Sequence, residues 1–395
     1  NIRAEDVHNT PVPHAFLVLD AEEQATLFVD ERKVDNDLRV HLGNKVRLEP
    51  RTAFYNELAE LGKAGKKILV DPTSNNAKVF QTLKETGATL IEGQDPCILP
   101  KARKNETERQ GSRDAHIRDG AAICEFLHWL EGEAPKGNLD ELGAAAKLME
   151  FREKRSLLKG ISFDTISGAG PNGALCHYKV DESSNRKLEM DSIYLVDSGG
   201  QYLDGTTDIT RTVIVGTPTD EMKDRFTRVL RGHIALTMTR FPQGTAGMML
   251  DSIARRPLWE IGLDYDHGTG HGVGSYLAVH EGPQRIAKFG TSVPLEEGMI
   301  LSNEPGYYKE GEYGIRIENL ILVTKSDADE ERDMFEFENL TWAPIDRNLI
   351  DASGLDDIEL KWLNDYHTAV YEKLAPLVDS ETKAWLEKAT APIAA

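Results

Sequence analysis

The run Tyr194-Leu195-Val196-Asp197-Ser198-Gly199-Gly200, followed by Asp204-Gly205-Thr206-Thr207-Asp208-Ile209-Thr210-Arg211, decides how the C-terminal half of this chain is read. Alternating runs on either side of Asp204-Gly205 mark two antiparallel strands joined by a two-residue turn. In that pairing Gln201 faces Asp208, and Asp197 lies four residues further along its strand. Parity puts both aspartates on one face, roughly 13 Å apart at about 3.3 Å per residue. A bend or bulge at Ser198-Gly199-Gly200 would shorten that gap. The plain alternative is two surface aspartates beside turns.

Three further segments downstream carry acids or imidazoles among glycines and turns. His267-Gly268-Thr269-Gly270-His271-Gly272-Val273-Gly274 has the four-residue histidine spacing of a helical zinc motif. Its alternate glycines argue against a helix, and the glutamate of that motif is absent. They predict instead an extended segment approached closely by another backbone or a ligand, with His271 either a ligand or a structural histidine. Glu304 ends the apolar strand Met299–Leu301 and is followed by Pro305-Gly306. In Gly314–Val323, period two puts Arg316 and Glu318 on one face, opposite Ile315 and Ile317. That pair is either part of a site or a structural ion pair. Asp197, Asp208, His271, Glu304 and Glu318 together form a hard donor set suited to two divalent cations. Mn²⁺ fits it best, and Zn²⁺, Co²⁺ or Fe²⁺ use the same donors. Such a pair activates water for hydrolysis.

Outward from these segments, the chain divides in two. Up to about residue 100, short strands (16–19, 25–29, 67–70, 89–91) alternate with a helix at 79–85, which predicts a small α/β domain over residues 1–104. Helices are expected at 106–130, 139–154, 220–239, 248–260, 358–374 and 380–388, around strands and glycine-rich loops between 161 and 323. The larger unit, residues 105–395, is therefore α+β. With 40% hydrophobic and 28% charged residues, the composition is that of a soluble globular protein. A net charge of −20 argues against nucleic acid as a partner, and no apolar run is long enough for a membrane span. Cys97, Cys124 and Cys176 make neither a disulfide framework nor a thiolate site, and suit a reducing cytoplasm. The first residue is Asn1 rather than Met, as in a processed, trimmed or renumbered chain.

These segments, with Ala115-His116-Ile117-Arg118-Asp119, Gly170-Pro171-Asn172-Gly173-Ala174, His177 and His280-Glu281-Gly282-Pro283, resemble the creatinase/aminopeptidase P ("pita-bread") metallopeptidases over essentially the whole chain. The likeness is greatest to the three-domain cytosolic Xaa-Pro aminopeptidases. It implies a pita-bread catalytic domain preceded by a smaller creatinase-like α/β domain. The family's metal ligands fall on Asp197, Asp208, His271, Glu304 and Glu318. It implies that Glu304 shuttles the proton to the leaving nitrogen and that His177 and His280 bind substrate and stabilise the tetrahedral intermediate. His267 would line the proline pocket, and Arg316 would fix the ligand carboxylates. The implied substrates are peptides with proline at the second position, attacked by a hydroxide bridging two metal ions, in a protein that can form homodimers. A prolidase restricted to X-Pro dipeptides is the near alternative, and a catalytically silent peptide-binding protein the distant one. The three-domain relatives carry another domain ahead of the matched region, and the match begins after the helix and strand that open their middle domain.

Overall fold

The computed structural model describes residues 2–290, 292–327 and 331–394. Two compact units divide at Pro100/Lys101. In the first, β1 (Phe16–Leu19) pairs antiparallel with β2 (Ala25–Val29), and β3 (Val46–Pro50) adds parallel to β2. A separate parallel pair joins β4 (Lys67–Val70) and β5 (Thr89–Glu92). Helices α1 (Asn36–Leu42), α2 (Phe54–Lys63) and α3 (Ala77–Thr86) complete the unit around Phe28, Phe54, Leu58, Val70, Val79 and Leu83. Alternation and periodicity locate β1, β2, β4, β5 and α3 but not α1, β3 or α2. On α2 the buried residues are only Phe54, Leu58 and Gly62, a narrow stripe at four-residue spacing that ends in a glycine.

A short helix α4 (Ile98–Ala102) precedes the long α5 (Glu106–Glu133). Asn105 and Glu108 start α5 with a capping box, each side chain accepting the other's backbone N–H at 3.0 Å. The rest of this unit carries α6 (Glu141–Glu153), α7 (Asp220–Thr237), α8 (Asp251–Trp259), α9 (Asp357–Leu374) and α10 (Ser380–Ala389). All lie within a few residues of their expected positions. No helix among the described residues is long and apolar enough to cross a membrane.

Two three-stranded sheets share one continuous hairpin. β8 (Ser192–Ser198) lies between β7 (Ile166–Ala169) and β11 (Ile209–Val215). β9 (Gly200–Tyr202) lies between β6 (Leu158–Ile161) and β10 (Gly205–Thr206). Both faces of β8 are buried: Ile193 joins the cluster of Phe226, Leu230, Ile234 and Leu363, while Tyr194 and Val196 join that of Phe126, Leu127 and Leu148. Burying each such side chain contributes about 1.5–3 kcal/mol. A four-stranded sheet orders β12 (Phe241–Pro242), β19 (Met334–Asn339), β18 (Asn319–Lys325) and β15 (Ile300–Asn303). β13 (Gly270–His271) pairs with β14 (Arg285–Ile286), and β16 (Gly306–Lys309) with β17 (Tyr313–Arg316).

Two expectations are corrected. The run 314–323 is not one strand: β17 and β18 belong to different sheets and break at Ile317-Glu318. The hairpin turns at Leu203-Asp204 rather than Asp204-Gly205, because Tyr202 pairs with Gly205. Gly205 has no left-handed backbone to supply. A Cβ there would come within 3.0 Å of Ala115 Cβ and 3.1 Å of Ser112 Cα, so its bareness serves contact with α5 instead.

Candidate metal centre

The corrected register bears directly on the two aspartates. Asp197 pairs with Thr210 and Ser198 with Ile209, so the next step outward sets Asp208 opposite Gly199. The offset from Asp197 is thus two residues, about 7 Å along the strand, half the distance the expected turn implied. The break itself lies at Gly199, where a Cβ would stand 1.9 Å from Thr207 O. Behind it Arg152, buried and paired with Asp119 at 2.8 Å, donates to the Ser198 hydroxyl, which also meets Thr165 Oγ1 at 2.9 Å.

The glycine-rich segment is extended and closely approached, as its glycines predict. A Cβ on Gly270 would lie 2.0 Å from Ser302 O, so β13 can lie against β15 only with glycine there. His271 N–H donates to Ser302 Oγ at 3.0 Å, and Glu304 N–H to Thr269 O at 2.8 Å. With His271 Nδ1 assigned as donor to Gly272 O (3.1 Å), Nε2 offers a lone pair, 3.3 Å from Asp208 Oδ2 and 3.8 Å from Glu304 Oε1. One ligand atom each of Asp208, His271 and Glu318 lie within 4.8 Å of one another.

Glu318 sits at the β17–β18 break, bridged to Thr210 of β11. Thr210 Oγ1 donates to Glu318 Oε2 at 2.7 Å and accepts from Arg316 Nε at 3.1 Å. Arg316 does not pair with Glu318 directly; its Nη2 meets Asp197 Oδ2 at 2.5 Å and its Nη1 donates to Tyr308 OH at 2.7 Å. Tyr308 OH in turn meets His267 Nε2 at 2.7 Å. The His267 ring donates from Nδ1 to Gly268 O at 2.8 Å, and burial holds its pKa near 3, so Nε2 is the acceptor. Behind Glu318, Arg211 donates to Glu318 O (2.8 Å), Thr210 O (2.9 Å) and the hydroxyl of Tyr366 on α9 (2.9 Å).

Asp197, Asp208, His271, Glu304, Glu318, His177, His267, His280 and Arg316 all line one cleft of about 700 Å³. His177 and His280 are exposed at its rim, and the His280 ring stands edge-on to His271 at 4.2 Å. Phe163, Ile166 and Cys176 also line it. Neither these nor the bridging roles of Thr210 and Tyr308 were read from sequence. For Thr210 a signal existed: it lies two residues beyond Asp208, hence on the same strand face.

This cluster is electrostatically unfavourable by itself. Burial, then the charges of Asp197 and Glu304, raises the Asp208 carboxyl well above its ordinary range. Burial, then Asp208, does the same to Glu318. Glu304 is pushed up to about 8 by burial and by Glu318. Asp197 Oδ1 and Asp208 Oδ1 are buried without a hydrogen-bond partner. Buried carboxylate oxygens left free beside one imidazole lone pair fit hard divalent cations, which would both neutralise and coordinate them.

The profile described as Metallopeptidase family M24 matches residues 110–325. The Creatinase/Prolidase N-terminal domain matches residues 1–108, and the C-terminal region of peptidase M24 matches residues 333–393. Aminopeptidase P2 of Arabidopsis thaliana is 43% identical over an alignment of 428 residues, covering 100% of this chain and 60% of that protein. A probable Xaa-Pro aminopeptidase P of Aspergillus fumigatus is 44% identical, covering 100% and 62%. The chain therefore spans about three-fifths of the length of these relatives. The crystal structure of a Caenorhabditis elegans X-prolyl aminopeptidase, described as a cytosolic enzyme with a di-nuclear active site, superposes with a TM-score of 0.93 at 36% identity, covering 100% of this chain and 66% of that one.

Proposed function

This chain belongs to metallopeptidase family M24, and from that premise we propose that it is an Xaa-Pro aminopeptidase, releasing the N-terminal residue from peptides with proline at the second position. The observation that carries the proposal is the buried donor cluster Asp208, His271 and Glu318, with Asp197 and Glu304 beside it in one cleft. Asp197, Asp208, His271, Glu304 and Glu318 would hold two divalent cations, Mn²⁺ by preference. When bound, such cations polarise a carbonyl oxygen and make water a stronger nucleophile at neutral pH.

The chain's own groups do the rest. Glu304 takes a proton from the attacking water and hands it to the proline nitrogen as the C–N bond breaks. Ser302 Oγ donates to its Oε1 at 3.3 Å, which leaves Oε2 to carry that proton. His177 and His280, at the rim, donate to the oxyanion that develops on the carbonyl. His267, held by Tyr308, forms the wall met by the proline ring. An X-Pro amide has no N–H, so recognition there rests on shape rather than on a hydrogen bond. Arg316 holds the Asp197 carboxylate in place through Oδ2. In this reading residues 105–395 are the catalytic domain and 1–104 the creatinase-like one. Three cysteines without a disulfide framework and the cytosolic neighbour support a cytoplasmic protein, and the family resemblance supports a homodimer.

Hydrolysis of an X-Pro-Y tripeptide and of the matching X-Pro dipeptide, after chelation and Mn²⁺ readdition, tests the proposal. Tripeptide cleavage restored by Mn²⁺ is expected. Cleavage of the dipeptide alone would make the protein a prolidase, and cleavage of neither would refute the enzymatic reading.

A further inference from the structure

Arg255 does not line the cleft, is fully buried, and spends its whole donor fork on one side of it. Its Nε and Nη2 clasp Asp251 at 2.6 and 3.1 Å, one turn earlier on α8. Nη1 donates to Asp264 Oδ1 at 2.9 Å and Tyr265 O at 2.5 Å, and Nη2 also donates to His267 O at 2.8 Å. The guanidinium lies 3.8 Å over the Tyr265 ring, which in turn packs 4.9 Å from the His267 ring. Asp251 extends the grip: its Oδ1 accepts from Thr269 Oγ1 at 2.6 Å, and Thr269 Oγ1 meets Tyr265 OH at 2.6 Å. The carbonyl of that same Thr269 accepts the N–H of Glu304.

A buried ion pair is no better for stability than apolar residues of the same volume. What a guanidinium adds is direction, since its planar fork fixes several acceptors at once and an ammonium cannot. Here the acceptors are the backbone of 265 and 267 and the acid that holds 269, in a segment whose glycines leave it little stiffness of its own.

We infer that Arg255 is a positioning residue, which through Tyr265 and Thr269 fixes the His267 wall of the cleft and so sets how well the site accepts the residue after the scissile bond. The inference rests on the function proposed above for that cleft. The donors keep other supports: His271 the pairing of β13 with β14, Asp197 the ladder of β8 and β11, Glu318 its bridge to Thr210, and Glu304 the strand β15 that it follows, paired with β18. Loss of Arg255 therefore acts on substrate fit before cation binding.

The test compares the parent with Arg255→Lys, Asp251→Asn, His267→Ala and the Arg255→Lys/His267→Ala double variant, all loaded with Mn²⁺. For an X-Pro-Y tripeptide, Arg255→Lys is expected to raise KM about tenfold or more, with kcat within about threefold of the parent and Mn²⁺ stoichiometry unchanged. The double variant is expected to be no worse than His267→Ala alone, because the two act as one unit. Hydrogen exchange is expected to quicken at the amides of residues 265–271 and Glu304, and not in α5 or α9. Additive losses, a fall in kcat with unchanged KM, or unaltered exchange would overturn the inference. Should Arg255→Lys fail to fold, Asp251→Asn carries the same expectations. A parent that cleaves no X-Pro-Y peptide would refute the proposed function, and the exchange data would then decide the positioning role by themselves.

Discussion

Arg316 and Asp197 stand 119 residues apart in sequence and meet at 2.5 Å between β17 and β8, both of them buried. The contact takes up Oδ2 of the aspartate and leaves Oδ1 free inside the cleft. Replacing Arg316 by Gln removes the charge that balances Asp197. We expect a 10- to 100-fold loss of Mn²⁺ affinity or activity, by order of magnitude. Calorimetric titration with Mn²⁺ checks this, and an unchanged affinity would show that Arg316 does no more than fill space.

Cation binding is expected to expel protons. In the metal-free protein Glu304 titrates near 8, and Asp208 and Glu318 are raised as well, all chiefly by burial. At pH 7 Glu304 holds a proton that a divalent cation displaces, so affinity rises with pH between about 6 and 8. Mn²⁺ titrations in two buffers of different ionisation enthalpy should differ by about one proton or more per chain. Identical heats in both buffers would refute this.

Two buried histidines should make the fold lose stability in acid. His233 and His367 are buried, and burial holds both near pKa 3. His367 Nε2 accepts the Ile345 N–H at 3.1 Å, which only the neutral ring can do. The unfolded chain takes up these protons at about 6.5, so between roughly 6.5 and 3 it binds more protons than the native state. Stability from these rings is full above about 6.5 and falls toward pH 3, by on the order of a few kcal/mol per histidine. The raised carboxyls of the cluster act in the opposite sense, so the readout is a difference: in urea unfolding of the metal-free protein at pH 7, 6 and 5, the stability of the parent relative to His367→Gln should fall as the pH is lowered.

Gly199 and Gly270 should not tolerate alanine. Their Cβ atoms would stand 1.9 and 2.0 Å from the carbonyl oxygens of Thr207 and Ser302, so backbone must move. Each substitution is expected to cost about 3 kcal/mol and to weaken Mn²⁺ binding. Gly132, exposed in the last turns of α5 with nothing near its Cβ position, is the control. Alanine there should be neutral or stabilising by up to about 1 kcal/mol. Thermal unfolding of the three variants separates close packing from a general intolerance of alanine.

Much of this architecture was legible because local signals and tertiary structure agree. Asn105 and Glu108 announce α5, and Asp140, Thr219, Asp356 and Asp379 cap the starts of α6, α7, α9 and α10. The donor residues stood out because each acid or imidazole interrupts an apolar strand or a glycine run. The failures have a common physical origin in contacts between distant residues. Asp204-Gly205 looks like a turn, yet Gly205 is bare to admit α5, and the turn moves back one residue. Arg316 and Glu318 share a strand face by parity, yet Thr210, from another strand, stands between them. Tyr308, Thr210 and Arg255 act through partners their own segments do not reveal.

Arg211 joins the carbonyls of Thr210 and Glu318 to the hydroxyl of Tyr366, so the centre is tied to α9, some fifty residues beyond Glu318. A polypeptide emerging from its N-terminus would have Asp197 and Asp208 long before Glu318, and Glu318 before the anchor behind it. No early portion of the chain can hold a cation firmly, because the remaining donors are still to be made. Firm loading is thereby postponed until α9 has been made and has folded against the centre. A firmly bound ion would thus report that the segments on both sides of the centre, Asp197 to Tyr366, have come together.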